Sequence, residues 1–364
     1  MPKGVGLLVV ESDFTSSYVQ AIDSDTHAIV GDKGKFIDRD PELRRLVDAA
    51  GTEHIFIVNR ATGTLAEVDR AGTRVRTISV VDDGADPSSA DPYDVAIAPD
   101  GKLWVTRYFQ STLLVLDADG TRAGTVDLSK LADADGRPEM SAIAIVGNVA
   151  YVALQRLSPG LGGSDPAPTD YSSIVTIDTQ TTPWIPKFFQ KLPVPTPRER
   201  FRRAAYGPAT ELWISCLGAP RSVPPSPGAL VKIDTTGLAD PQVILDGTQL
   251  MLNGKATRGF INGYDVYDSE RGWAVVASIE DTANPTSVVE FNPTTRQIVT
   301  NIWYARGTFD LWDVALADDR LLVLDRNHLD PAIVVLDASD GSLIEPRITT
   351  TLPPVELVLL RSQN

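Results

Sequence analysis

Apolar and polar positions alternate in short runs along the whole chain, most clearly over residues 91–128, DPYDVAIAPDGKLWVTRYFQSTLLVLDADGTRAGTVDL. Val95, Ile97, Leu103 and Val105 flank Pro99-Asp100-Gly101, the pattern of two antiparallel strands joined by a tight turn. A third run, 113–116, ends at Asp117-Ala118-Asp119-Gly120, where Asp and Gly tolerate positive φ. Residues 121–128 form a fourth. The unit is thus four short strands.

The unit recurs. Its second strand begins again at residues 7, 55, 103, 150, 212, 273 and 321, and the turn after its third strand recurs at residues 23, 69, 117, 178, 234, 292 and 337. Two independent markers therefore count seven copies. A four-stranded repeat of about 45 residues is the signature of a propeller blade, and strands divided only by turn signals exclude a βαβ reading. The expected fold is an all-β, seven-bladed β-propeller of four-stranded antiparallel blades. Blade 1 comprises residues 5–32 plus 353–362, blade 2 33–81, blade 3 91–128, blade 4 138–193, blade 5 199–246, blade 6 260–304 and blade 7 309–350. The first blade lacks an inner strand at the front, and PVELVLL at 354–360 supplies that pattern, so the C-terminal strand should close the ring and remove its unpaired edges. Small residues on the inner strands (Ala96, Ala98, Ala142, Ala144, Ala204, Ala205, Ala315, Ala317) suit crowding round an axis.

Within blade 2, IFIVNRATGTLAEVDRAGTRVRTISV carries IVN, VD and TISV in order and resembles the YVTN repeat family of seven-bladed propellers, to which YncE-like proteins belong. That resemblance implies the architecture, and a periplasmic or cell-surface location. It does not imply one activity, since such propellers range from binding proteins to hydrolases. No signal peptide is visible ahead of the first strand, which fits either a cytoplasmic protein or a mature exported domain.

A length of 364 residues suits one closed repeat domain, and 43% hydrophobic with 22% charged residues fits a large core. The net charge of −15 argues against nucleic acid and anionic membrane surfaces as partners, and no apolar run is long enough for membrane insertion. Cys216 is the sole cysteine and sits in an apolar strand, as a small buried hydrophobe does. The three histidines (27, 54 and 328) follow no nucleophile or metal motif.

Loops between strands two and three, and between blades, emerge on one face of an up-and-down blade. These are the long ones here: 81–92, 129–140, 157–171, 217–228, 246–262 and 279–287. The opposite face has tight turns. Binding residues concentrate on long loops held by a rigid scaffold. The same face receives the starts of the inner strands, where an acid recurs as Asp94, Asp265, Asp313 and Glu356. Arg107 and Arg326 lie 13 residues after Asp94 and Asp313, a spacing that suggests in-blade ion pairs. Asp265 and Glu356 have Ser278 and Ser12 instead, which leaves these two as the candidate metal ligands. Asn262, Tyr264 and Trp312 complete the candidate pore-mouth site.

Other features read as structural. Asp133, Asp135 and Glu139 only loosely resemble a calcium loop; Trp184, Phe188 and Phe189 suit packing between blades; and PRERFRR at 197–203 reads as a solvated basic rim. The leading expectation is a non-enzymatic binding or scaffold protein that presents the elaborated face to a protein partner, or to a small-molecule ligand. No cofactor is expected. The alternative is a metal-dependent hydrolase similar to the gluconolactonase and paraoxonase-like propellers, with calcium the cation best matched to the acids.

Overall fold

Each second strand of the repeat is a continuous apolar run because both of its faces are buried against neighbouring blades. Leu7 and Val9 pack toward blade 7, whereas Leu8 and Val10 pack toward blade 2. The same division holds round the molecule. Seven hydrophobic clusters fill the seven interfaces between adjacent blades, joining 1 to 2, 2 to 3, 3 to 4, 4 to 5, 5 to 6, 6 to 7 and 7 to 1. Each fully buried Leu, Val or Ile contributes about 1.5–3 kcal/mol, so truncating Leu8 alone would cost about 2–5 kcal/mol.

The computed structural model describes residues 6–360 except 24–25, 27, 37–39, 159–166, 169–170, 199, 204–209, 220–224, 238, 253–254, 281–284, 305–309 and 345. Among the described residues the chain is all-β, with two 3-10 turns and no α-helix. Blades 2, 3, 4, 6 and 7 are four-stranded antiparallel sheets that begin at the axis with Pro41–Val47, Pro92–Ile97, Met140–Val146, Gly259–Val266 and Leu311–Ala317. In blade 5 three strands are regular, and Pro197 and Arg202 add the innermost by bridging Cys216 and Trp213. In blade 1 the inner strand is Pro354–Leu360, paired antiparallel to Gly6–Ser12 with Leu8 opposite Val358. The C-terminal strand therefore closes the seven-bladed ring, as expected.

Several details differ from the sequence reading. The outer strand of blade 1 is Ile29–Phe36, and so runs past residue 32, where blade 1 was expected to pass into blade 2. The loop expected over 246–262 contains a small hairpin, Leu250–Leu252 with Lys255–Thr257. Leu250 and Leu252 anchor it in the core between blades 5 and 6. The insertion at 157–171 holds a two-residue ladder between Leu157–Ser158 and Ala167–Pro168. Such short hairpins carry too few alternating residues to show in sequence. Ala204, Ala205 and His27 lie outside the described residues. Cys216 is buried in the core between blades 4 and 5, and burial pushes its thiol well above the ordinary range.

One irregularity positions the site. In blades 1, 3, 4, 6 and 7 the register between inner and second strands slips near the start of the inner strand. A bulge of this kind re-aims side chains. Tyr93, Ser141, Asn262, Trp312 and Val355 all lie within these slips.

Candidate functional site at the tunnel mouth

The register of blade 3 sets Asp94 opposite Thr106, and the slip at Tyr93 sets Pro92 opposite Arg107, so the 13-residue spacing does not make a pair. Asp94 pairs instead with Arg44 of blade 2, Nε to Oδ1 at 2.5 Å. Arg107, fully buried, binds Asp82 at 2.8 Å and Thr112 Oγ1 at 2.6 Å, and so ties the blade 2–3 loop to its own blade. The expected Asp313 to Arg326 pair is likewise replaced. Asp313 binds Arg200 Nη2 at 2.9 Å and also Arg202, both from the inner strand of blade 5. A Cβ at Gly263 would collide with Asp313, so only glycine admits that carboxylate.

Glu356, expected to be free, is the most heavily paired of the four acids. Its Oε2 lies 2.7 Å from Arg44 Nη1 and accepts the Leu43 amide at 2.6 Å, and its Oε1 meets Arg200. Asp94, Arg44, Glu356, Arg200, Asp313 and Arg202 thereby form one unbroken ladder of alternating charge across the tunnel. Arg200 and Arg202 reach across it from blade 5 to blades 1 and 7. Glu42 also lies 3.4 Å from Arg44 Nη1, so each buried carboxylate of the ladder has a guanidinium beside it, a pairing that buried charge requires. Burial raises Asp94 to about 6 against the pull of Arg44 and the Ile143 and Val95 amides. Burial acts on Glu356 too, but Arg200 and Arg44 together hold it at about 2.

Asp265 has no guanidinium within ion-pair distance among the described residues. Its Oδ1 accepts the Val266 amide and its Oδ2 the Leu316 amide, each at 2.8 Å, while burial raises its pKa and Arg202 opposes that rise. A backbone amide of the next blade is a recurring partner. Asp94 Oδ2 accepts from Ile143, Asp265 Oδ2 from Leu316 and Glu356 Oε2 from Leu43. The recurrent acid is thus a link between inner strands, satisfying amides that face the tunnel and have no strand beside them.

Above the ladder a recess opens to the elaborated face. It offers about 40 Å³ to the centres of water molecules, room for a few waters, and its empty space including that open to solvent is about 440 Å³. Asn262, Trp312 and Val355 from the slipped segments line it with Arg198, Ser215 and Tyr264. Asn262 Nδ2 donates to Leu311 O at 3.4 Å, and Tyr264 Oη donates to Trp213 O at 2.6 Å. Arg326 packs on Trp312 with Cζ 4.5 Å from the ring centre, and Arg198 does so at 4.4 Å.

The basic run PRERFRR suggests a solvated rim, yet Arg198, Arg200 and Arg202 line the recess and of its arginines only Arg203 is exposed. Their spacing of two marks one face of a strand, and that signal was present in the sequence. Arg44 was hidden inside the apolar pattern of PELRRLV. Trp184 packs edge-on to Trp104 between blades 3 and 4. Among the described residues the one cluster of three acids within chelating reach is Asp133, Asp135 and Glu139, away from the ladder.

No family model matches the chain, and no curated protein matches it. Among solved structures, the periplasmic gluconolactonase PpgL of Pseudomonas aeruginosa is similar at 14% identity and TM-score 0.60, covering 98% of this chain and 99% of that one. NirN, a dihydro-heme d1 dehydrogenase, is similar at 16% and 0.56, covering 98% and 75%. AztD of Citrobacter koseri is similar at 13% and 0.50, covering 98% and 97%. At such identities the likeness shows the propeller fold alone.

Proposed function

We propose that this chain is a non-catalytic binding propeller whose ligand seats in the recess above the charge ladder, on the face with the long loops. The observation that carries this reading is the engagement of the inner-strand acids. Asp94, Asp313 and Glu356 are neutralised by arginines, and both oxygens of Asp265 accept backbone amides. A divalent cation at the tunnel would have to displace guanidinia already in contact, and a general base would need a carboxylate released from its partners.

A lactone hydrolase is the second reading, supported by the shared fold with a gluconolactonase. Metal analysis of the purified chain, run beside turnover of glucono-δ-lactone, separates the two. We expect neither a stoichiometric divalent ion nor hydrolysis above background. One ion per chain, lost together with hydrolysis in Asp265→Asn, would promote the hydrolase.

A further inference from the structure

Phe14, Arg326, Trp312 and Arg198 form an alternating column of rings and guanidinia, of which Trp312 and Arg198 line the recess and Arg326 stacks on Trp312 beside it. Arg326 Cζ lies 5.2 Å from the centre of the Phe14 ring and 4.5 Å from that of Trp312, and Arg198 Cζ lies 4.4 Å from Trp312. Phe14 is 56% exposed on the turn between Gly6–Ser12 and Ser17–Asp23, so the column starts in solvent and runs down to the recess.

Arg326 differs from the other inward arginines. Arg44, Arg60, Arg107, Arg200 and Arg202 all have carboxylate partners. Among the described residues, Arg326 has no carboxylate within 4 Å and no side-chain hydrogen bond. Its contacts are the two rings. The acids whose charge acts on it, Asp40 and Glu42, are also paired with Arg60 and Arg44. Burial and the like charge of Arg198 both lower its proton affinity. A planar guanidinium held by rings keeps its edge of N–H donors available, and that edge matches the two oxygens of a carboxylate or phosphate. An oxyanion there would relieve the repulsion between Arg326 and Arg198 and take donors that no described residue uses.

We propose that the recess recognises a small organic oxyanion, with Arg326 as its anchor and Trp312 as the wall against which its carbon skeleton lies. This rests on the reading of the recess as a ligand site, and it adds the ligand's charge and the residue that binds it.

The test is calorimetric titration of the full chain with citrate and with inorganic phosphate, each at matched ionic strength against a chloride control. Wild type should bind at least one of the two saturably, and Arg326→Gln should weaken it by about tenfold or more. Arg326→Lys should retain part of the affinity. Arg258→Gln, which breaks an exposed pair with Glu280 elsewhere, should change nothing. Saturable citrate with no phosphate binding would make the ligand class a carboxylate, and the reverse a phosphate. Absence of saturable binding by both, a wild-type affinity in Arg326→Gln, or equal losses in the Arg258 and Arg326 variants would each overturn the proposal. Among the described residues the Arg326 side chain makes no hydrogen bond, and its backbone amide, which donates to Asp310 O at 2.7 Å, is kept in the variants, so they should fold, and a melting curve on each checks this. Metal content and lactone turnover are measured separately, so failure of the anion assignment leaves the non-catalytic reading standing or falling on its own data.

Discussion

Asp94 Oδ2, on the inner strand of blade 3, accepts the backbone amide of Ile143 in blade 4 at 2.9 Å, while its other oxygen meets Arg44 of blade 2. One side chain thus links three consecutive blades at the axis. Asp265 and Glu356 repeat the link toward Leu316 and Leu43. The acid that recurs in the repeat is in the first place a fastener, and its charge is then balanced by whichever arginine the tunnel supplies.

Coupling should follow these contacts rather than the spacing in sequence. Asp94→Asn leaves Arg44 without one partner and presents an amide N–H₂ to groups that donate, which should cost about 3–5 kcal/mol. In double-mutant cycles followed by urea unfolding, Asp94→Asn and Arg44→Gln should couple by about 1–3 kcal/mol. Asp94→Asn and Arg107→Gln should be additive within about 0.5 kcal/mol. Strong coupling of Asp94 to Arg107 would contradict the register that sets Asp94 opposite Thr106.

Two buried glutamates should shape the pH dependence in opposite senses. Burial alone would raise Glu356, but Arg200 and Arg44 depress it from 4.5 to about 2, so its stabilisation is complete above pH 4.5 and is lost as pH falls toward 2. Glu356→Gln should flatten that acid limb. Burial raises Glu139 from 4.5 to about 8, helped by Asp135 and Asp133, so the folded state keeps a proton that the unfolded state releases. Stability should therefore fall between pH 4.5 and 8. Glu139→Gln should melt higher than wild type at pH 8.5 and close to it at pH 4. Melting temperatures across this range decide both points.

Ring closure depends on Pro354–Leu360. Deleting residues 353–364 removes the partner of Gly6–Ser12 and also Glu356, and so exposes a strand edge while leaving Arg44 and Arg200 short of a carboxylate. Cooperative unfolding should be lost or the protein should aggregate. A melting transition like that of the full chain would mean that the ring closes without this strand.

The sequence by itself determined the repeat, its count of seven and the closing strand, because these depend on local alternation, turn chemistry and spacing, and each blade presents the same apolar strand to its neighbours. It also marked one face as elaborated and placed acids at the starts of the inner strands. Only the tertiary structure decided the partners of those acids. The regular register of blade 3 sets Asp94 opposite Thr106 and not Arg107, and ring closure brought Arg44, Arg200 and Arg202 from distant parts of the chain to a common axis. Pairing across that axis is set by which blades face each other and by small changes of register, and neither leaves a period in the sequence to read.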